Sequence, residues 1–183
     1  GLLVALGYVA DVNVLYCRDG VIPELNRATM ENCKFYLNGI NFASTYKSIR
    51  TGSGAAFFAY KSPVTAIGCD FRANSQLVGF GDSGGICEVY TSDAISVFTN
   101  CLWMGNRVVR EYQGSNGDST SGIVLVRDSQ PIDIVNSTIA YNISATKKWS
   151  AGLSVSAGNV NVKNTIIWGN KTAGGSTPDV YKA

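Results

Sequence analysis

Three kinds of side chain in this sequence could do chemistry: five cysteines, thirteen carboxylates and a set of aromatic rings. Histidine is absent. That removes the Ser-His-Asp triad, the Cys-His dyad, the imidazole general base and every imidazole metal site. The cysteines are Cys17, Cys33, Cys69, Cys87 and Cys101. Their number is odd, so a complete disulfide framework cannot close within this chain. None sits in a C-x-x-C pair, which argues against a zinc ribbon or a thioredoxin-type centre. The carboxylates could act as an acid–base pair or hold calcium, but only if the fold brings them together. The question is therefore which elements position these groups.

The elements are repeats. Five segments align without gaps: Thr29–Asn38, Thr65–Asn74, Val97–Asn106, Asp133–Asn142 and Asn161–Asn170. Each ends on Asn, at 38, 74, 106, 142 and 170. One position in each is small and weakly polar: Cys33, Cys69, Cys101, Ser137 and Thr165. Two residues later stands a large apolar group, namely Phe35, Phe71, Trp103, Ile139 and Ile167. Three residues before the small position lies a second apolar column: Met30, Ala66, Phe98, Ile134 and Val162. This alternation has the period of a strand, not of a helix.

The residue preceding the small position is Asn32, Gly68, Asn100, Asn136 or Asn164. Nine of the 15 asparagines therefore fall in two columns. Asn and Gly tolerate left-handed backbone at little cost, so both columns are read as recurring bends. Stacked Asn side chains can also hydrogen-bond along a column. Upstream of the last four units, Gly54, Gly85, Gly122 and Gly152 each open an apolar strand. The segments between units vary in length, as loops on an exposed edge do.

A unit of about 30 residues cannot bury its apolar columns alone, whereas stacked units can. The expected fold is all-β: a parallel β-helix (solenoid) of about six coils, with strands of successive coils about 4.8 Å apart. The whole chain, residues 1–183, reads as a single domain with units ending near 38, 74, 106, 142 and 170. It is read as a fragment or processed piece of a longer chain. Gly1–Ala10 is apolar but too short to span a bilayer, and it lacks the basic start of a signal peptide. It is read as a strand or end-coil. The tail Thr172–Ala183, rich in Gly, Ser and Thr, is read as an exit and not a cap. Both ends of the stack are then expected to present open strand edges to protein neighbours.

The chain resembles the repeats of the chlamydial polymorphic outer-membrane proteins, and more widely the right-handed β-helix surface proteins. The residues that carry the resemblance are Gly84-Gly85-Ile86 and the Phe-x-x-Asn-type elements Phe35–Asn38, Phe71–Asn74 and Trp103–Asn106. Looser copies are Ile139–Asn142 and Ile167–Asn170. The resemblance implies a right-handed coil and an extracellular or cell-surface protein, often an adhesin or a structural stalk, and it does not imply catalysis; the expected role is a non-enzymatic stalk, filament subunit or adhesin.

On this fold the cysteine column Cys33–Cys69–Cys101 faces inward and reads as free thiols filling the core, although neighbouring Cα atoms would suit a disulfide. The outward rows Thr29–Thr65–Val97–Asp133–Asn161 and Lys34–Asp70–Leu102–Thr138–Ile166 stack no two acids. Asp118, Asp128 and Asp133 near Arg107, Arg110 and Arg127 form the best lyase-like group. No catalytic residue, metal ligand or cofactor is assigned. A polysaccharide lyase, a glycoside hydrolase or a carbohydrate-binding module on the same fold is the alternative to a structural protein. Tyr36, Tyr46, Tyr112, Trp149 and Trp168 are candidates for binding a glycan or a partner through flat rings. Three sequons begin at Asn136, Asn142 and Asn170. Asn142 and Asn170 are the glycosylation candidates, and a ladder role competes with a glycan at all three. A net charge of +2 without a basic cluster argues against nucleic acid, and no segment spans a membrane.

Overall fold

The computed structural model describes residues 15–17, 28–41, 55–60, 63–78, 84–90, 92, 94–110, 121–127, 129–144, 150–172 and 179–182. Gly1–Ala10, Gly54, Asp118, Asp128, Tyr46, Tyr112 and Trp149 lie outside them. The described elements are all strands, they form four sheets, and each pairing is parallel. The first sheet contains Leu15–Cys17, Phe57–Tyr60, Gly84–Tyr90, Ser121–Arg127, Leu153–Val155 and Val180–Lys182. The second contains Ala28–Glu31, Val64–Ile67, Ser96–Thr99, Ser129–Val135 and Gly158–Lys163. The third contains Lys34–Tyr36, Asp70–Arg72, Leu102–Met104, Thr138–Ala140 and Ile166–Trp168. The fourth contains Gly39–Asn41, Ser75–Val78, Arg107–Arg110, Ile143–Ser144 and Lys171–Thr172. The chain thus visits the four sheets in a fixed order and then repeats the circuit. Each strand pairs with its counterpart one circuit away.

Two tight bends make this possible. Between the second and third sheets the chain turns at Asn32, Gly68, Asn100, Asn136 and Asn164, with φ between 47° and 63°. This is the left-handed conformation expected of that column. The sheet bonding runs straight through the bend: the Asn32 N–H donates to the Ile67 carbonyl at 2.8 Å, and the Asn100 N–H to the Val135 carbonyl at 3.0 Å. The second bend differs from expectation. Its left-handed residues are Leu37, Ala73, Gly105, Tyr141 and Gly169, each one position before the repeated Asn. The Asn that ends each unit recurs for its side chain, not for its backbone angle.

The pairing register reproduces the sequence alignment. Val97 pairs with Thr65 and Asp133, and Trp103 with Phe71 and Ile139. The apolar columns face inward and are almost fully buried across the middle circuits. Phe35 stacks on Phe71 with centroids 4.9 Å apart, and Phe71 on Trp103 at 5.3 Å. Such offset aromatic contacts add about 1 kcal/mol each beyond the buried area. The Trp103 indole N–H finds the Cys87 sulfur at 3.2 Å. Glycine opens the first-sheet strands for a steric reason. A Cβ on Gly122 would lie 2.7 Å from the Ser154 hydroxyl, and one on Gly152 would lie 2.5 Å from the Asp179 carbonyl.

The tail departs from its reading as an exit. Val180–Lys182 adds a sixth strand to the first sheet, pairing with Leu153–Val155. Asp179 at its start is tied to Asn170, as described below.

Candidate functional site

The most organised polar feature is a ladder of buried asparagines at the second bend. Each rung follows one rule. The backbone N–H and the side-chain Nδ2 of one Asn both donate to the Oδ1 of the Asn one circuit later. Nδ2 also donates to a carbonyl one circuit earlier. Asn74 N and Nδ2 reach Asn106 Oδ1 at 3.0 and 2.9 Å, and Nδ2 reaches the Phe35 carbonyl at 2.8 Å. Asn106 makes the same three bonds to Asn142 Oδ1 and the Phe71 carbonyl, at 2.9, 3.0 and 2.8 Å. Asn142 repeats them to Asn170 Oδ1 and the Trp103 carbonyl. A primary amide suits the role because one small uncharged planar group supplies two N–H donors and an acceptor oxygen.

The rule also dictates how the ladder ends. The last Asn needs an acceptor that has no duty to donate onward, and a carboxylate meets that need. Asn170 N and Nδ2 donate to Asp179 Oδ1 at 2.8 and 2.9 Å. Asp179 escaped sequence reading because it is not an Asn and stands outside the aligned units. At the other end Asn38 N donates to Asn74 Oδ1 at 3.1 Å. Asn38 is 2% exposed, and neither its Oδ1 nor its Nδ2 has a partner among the described residues.

The ladder decides where the sequons lie. Asn142 is fully buried and Asn170 nearly so, and the amide nitrogen that a glycan would occupy is already donating to a carbonyl and to the next rung. Asn136, at the first bend, is the exposed member of the three.

The candidate aromatics do not converge. Tyr36 and Trp168 share one outward row, Tyr36–Arg72–Met104–Ala140–Trp168, but stand at its opposite ends. Around Tyr36 the row is polar. Its hydroxyl donates to the Asp70 carboxylate, the Arg72 guanidinium grips that carboxylate through Nε at 2.7 Å and through Nη2, and Arg72 lies 5.5 Å from the Tyr36 ring centroid. Burial works to raise the Asp70 pKa, but the hydrogen bonds from Arg72 and Tyr36 outweigh it and leave the carboxyl below its usual value. The same bond to Asp70 pushes the Tyr36 phenol up. Around Trp168 the surface is apolar. Trp168 is 64% exposed and Tyr141 57%, and Ile166 and Ile143, each two residues along the chain from one of them, are exposed as well. A Cβ on Gly169 would come within 3.1 Å of the Tyr141 ring, so the missing side chain makes room for that ring. Tyr141 directly precedes a repeated Asn, at the left-handed position of the second bend, and nothing in the sequence marks it as exposed.

A second group was also missed. Glu88 is fully buried on the first sheet, and Arg127 bridges it at 3.2 Å while lying 4.4 Å from the Tyr90 ring centroid. The pair spans one circuit, and no repeat of Glu announces it. Of the lyase-like group, Asp133 accepts from Asn161 Nδ2 at 2.7 Å and Arg107 is exposed on the fourth sheet. Among the described residues no three acids, cysteines or histidines cluster as a metal site would require, and no helix is long and apolar enough to cross a membrane.

Compared with family models, curated proteins and solved structures, the chain matches none of them. The repeat resemblance rests on the aligned residues themselves.

Proposed function

We propose that the chain is a right-handed parallel β-helix of the kind displayed on cell surfaces, with a non-enzymatic role as a structural stalk, filament subunit or adhesin. The observation that carries this reading is the asparagine ladder, which repeats the same three hydrogen bonds over successive circuits and closes on Asp179. A coil of repeating circuits is what such a ladder requires, and parallel crossovers are right-handed in nearly all proteins.

Contact with a protein neighbour is favoured at the C-terminal end. There the inward columns run out: Val162 is 42% exposed, while its column mates Phe98 and Ile134 are fully buried. The strand Gly158–Lys163 lies at the edge of the second sheet. An extended surface of this kind serves assembly or adhesion.

The exposed Trp168 and Tyr141 favour a second reading, a carbohydrate-binding module, since flat rings stack on sugar faces. One experiment separates the two. Sedimentation of the chain over a range of concentrations, run beside a glycan array and a polysaccharide cleavage screen, should show association that Val162→Asp abolishes, with no cleavage. Glycan binding lost in Trp168→Ala would favour the module. Cleavage of any polysaccharide would refute the non-enzymatic reading.

A further inference from the structure

Cys33, Cys69 and Cys101 stand in register on three consecutive circuits. The Asp70 N–H donates to the Cys33 carbonyl and the Leu102 N–H to the Cys69 carbonyl, both at 2.9 Å. Neighbouring positions on parallel strands hold their Cα atoms about 4.8 Å apart, inside the roughly 4.4–6.8 Å that a disulfide spans. The three thiols are free, and each S–H faces backbone carbonyls: Cys33 Sγ lies 3.5 Å from the Glu31 oxygen, Cys69 Sγ 3.5 Å from that of Met30, and Cys101 Sγ 3.4 Å from that of Ala66. The row is graded in access. Cys101 and Cys69 are buried, but Cys33 is only half-buried, at the edge where the column meets solvent. Further along, the column continues as Ser137 and Thr165, whose hydroxyls accept the N–H of the preceding circuit: Cys101 N to Ser137 Oγ at 3.0 Å, and Ser137 N to Thr165 Oγ1 at 3.3 Å. Hydroxyls would have served this packing role throughout. Thiols occupy the three consecutive positions that end at the accessible edge.

We propose that Cys33 and Cys69 form a thiol–disulfide exchange site, at which a small-molecule disulfide is reduced and two neighbouring circuits become covalently stapled. The Cys33 thiolate attacks one sulfur of the reagent, forming a mixed disulfide and releasing one small thiolate. The Cys69 thiolate then attacks the Cys33 sulfur, forming the Cys33–Cys69 bond and releasing the second. The two protons lost from the cysteines end on the two released thiols, and the two electrons pass to the reagent. Cys69 suits the second step. Contact with the Cys101 thiol lowers its pKa most, against the opposing effect of burial, and backbone groups at Cys33 and Ile67 lower it further. Cys101 is the positioning residue, and its own thiol is pushed up by the same contact and by burial. Cys87 is the remaining titratable thiol near this row; it is buried, raised well above its usual value and bonded to Trp103. Side chains on parallel neighbours are slightly further apart than a relaxed disulfide prefers, so the staple would be reducible and hence reversible.

The test uses 5,5′-dithiobis(2-nitrobenzoate), whose released thiolate absorbs visibly, on the native chain with Cys17→Ser. Two equivalents should be released in two phases, with no reagent left on the protein, and peptide mapping should find Cys33 joined to Cys69. Cys33→Ser should abolish both phases. Cys101→Ala should leave the first phase unchanged and move the pH midpoint of the second upward. On the unsubstituted chain, mass mapping after treatment with oxidised glutathione should show the same pair and a higher melting temperature. One equivalent with the reagent retained on Cys33, two equivalents that persist in Cys33→Ser, or a different mapped pair would overturn the proposal.

Discussion

The first and last of the aligned circuits differ in opposite ways. In the first of the aligned circuits the apolar columns are covered, Met30 being 6% exposed and Phe35 4%, with only Cys33 between them half-buried. Yet the buried Asn38 amide there has no partner among the described residues. At the C-terminal end the polar ladder is closed by the Asp179 carboxylate. Yet in the core columns there Val162 is 42% exposed and Ile167 is half-buried. Closing a core and closing a hydrogen-bond ladder are therefore separate requirements. The ladder has a direction, since each rung donates toward the C-terminal end. That end needs only an acceptor, which one carboxylate supplies. The opposite end needs donors for an amide oxygen.

One substitution made at two rungs should break this comparison most visibly. Asn106→Leu strands the Asn74 N–H and amide inside the stack and removes the donors to Phe71 and Asn142. Losing several buried hydrogen bonds should cost about 4 kcal/mol in denaturant unfolding. Asn38→Leu leaves its own N–H bond to Asn74 intact and replaces an unpartnered amide by an apolar group. It should change stability by less than about 1 kcal/mol. Equal losses at both rungs would mean that position in the ladder does not matter.

The same contrast applies to the core. Ile134→Ala should cost about 3 kcal/mol by leaving a cavity. Val162→Ala, in the same column but open to solvent, should cost less than about 1 kcal/mol. A smaller effect sharpens the C-terminal side. Asp179→Ala removes the acceptor for two Asn170 donors and should cost about 1–2 kcal/mol. Asp179→Asn should recover most of that loss, because the amide oxygen still accepts.

The smallest expected effect concerns pH. The Asp70 carboxyl is held below its usual value in the fold. Its contribution to stability is therefore present above the unfolded carboxylate range, near pH ~4, and is lost as pH falls through the lower folded value. The difference between the wild-type chain and Asp70→Asn should shrink as the solution is acidified below about pH 4. A difference that grows in acid would contradict the Tyr36–Asp70–Arg72 arrangement.

What was legible in the sequence is what repeats. The five aligned Asn positions predicted the pairing register, since stacking forces equivalent residues opposite one another. The Asn and Gly of the first bend announced their left-handed angles. At the second bend the angle falls on Leu37, Ala73 and Tyr141, which no residue preference would suggest, because the ladder fixes the neighbouring Asn and the preceding residue must comply. Singular features left no trace. The Glu88–Arg127 pair joins residues 39 apart in the chain with no copy elsewhere, and Asp179 terminates a pattern by differing from it. Exposure was legible only in part. Outward alternation marked Tyr36 and Trp168, while the burial of Asn142 and Asn170 depends on bonds that form only once the circuits stack.

The most direct test of the ladder is hydrogen exchange at its own amides, followed by NMR in the native chain. The backbone N–H and side-chain NH2 groups of Asn74, Asn106 and Asn142 should exchange only through global unfolding, while the Asn38 side-chain amide exchanges much faster. Rapid exchange of the Asn106 side chain, with the surrounding strands still protected, would show that the ladder does not hold the circuits together.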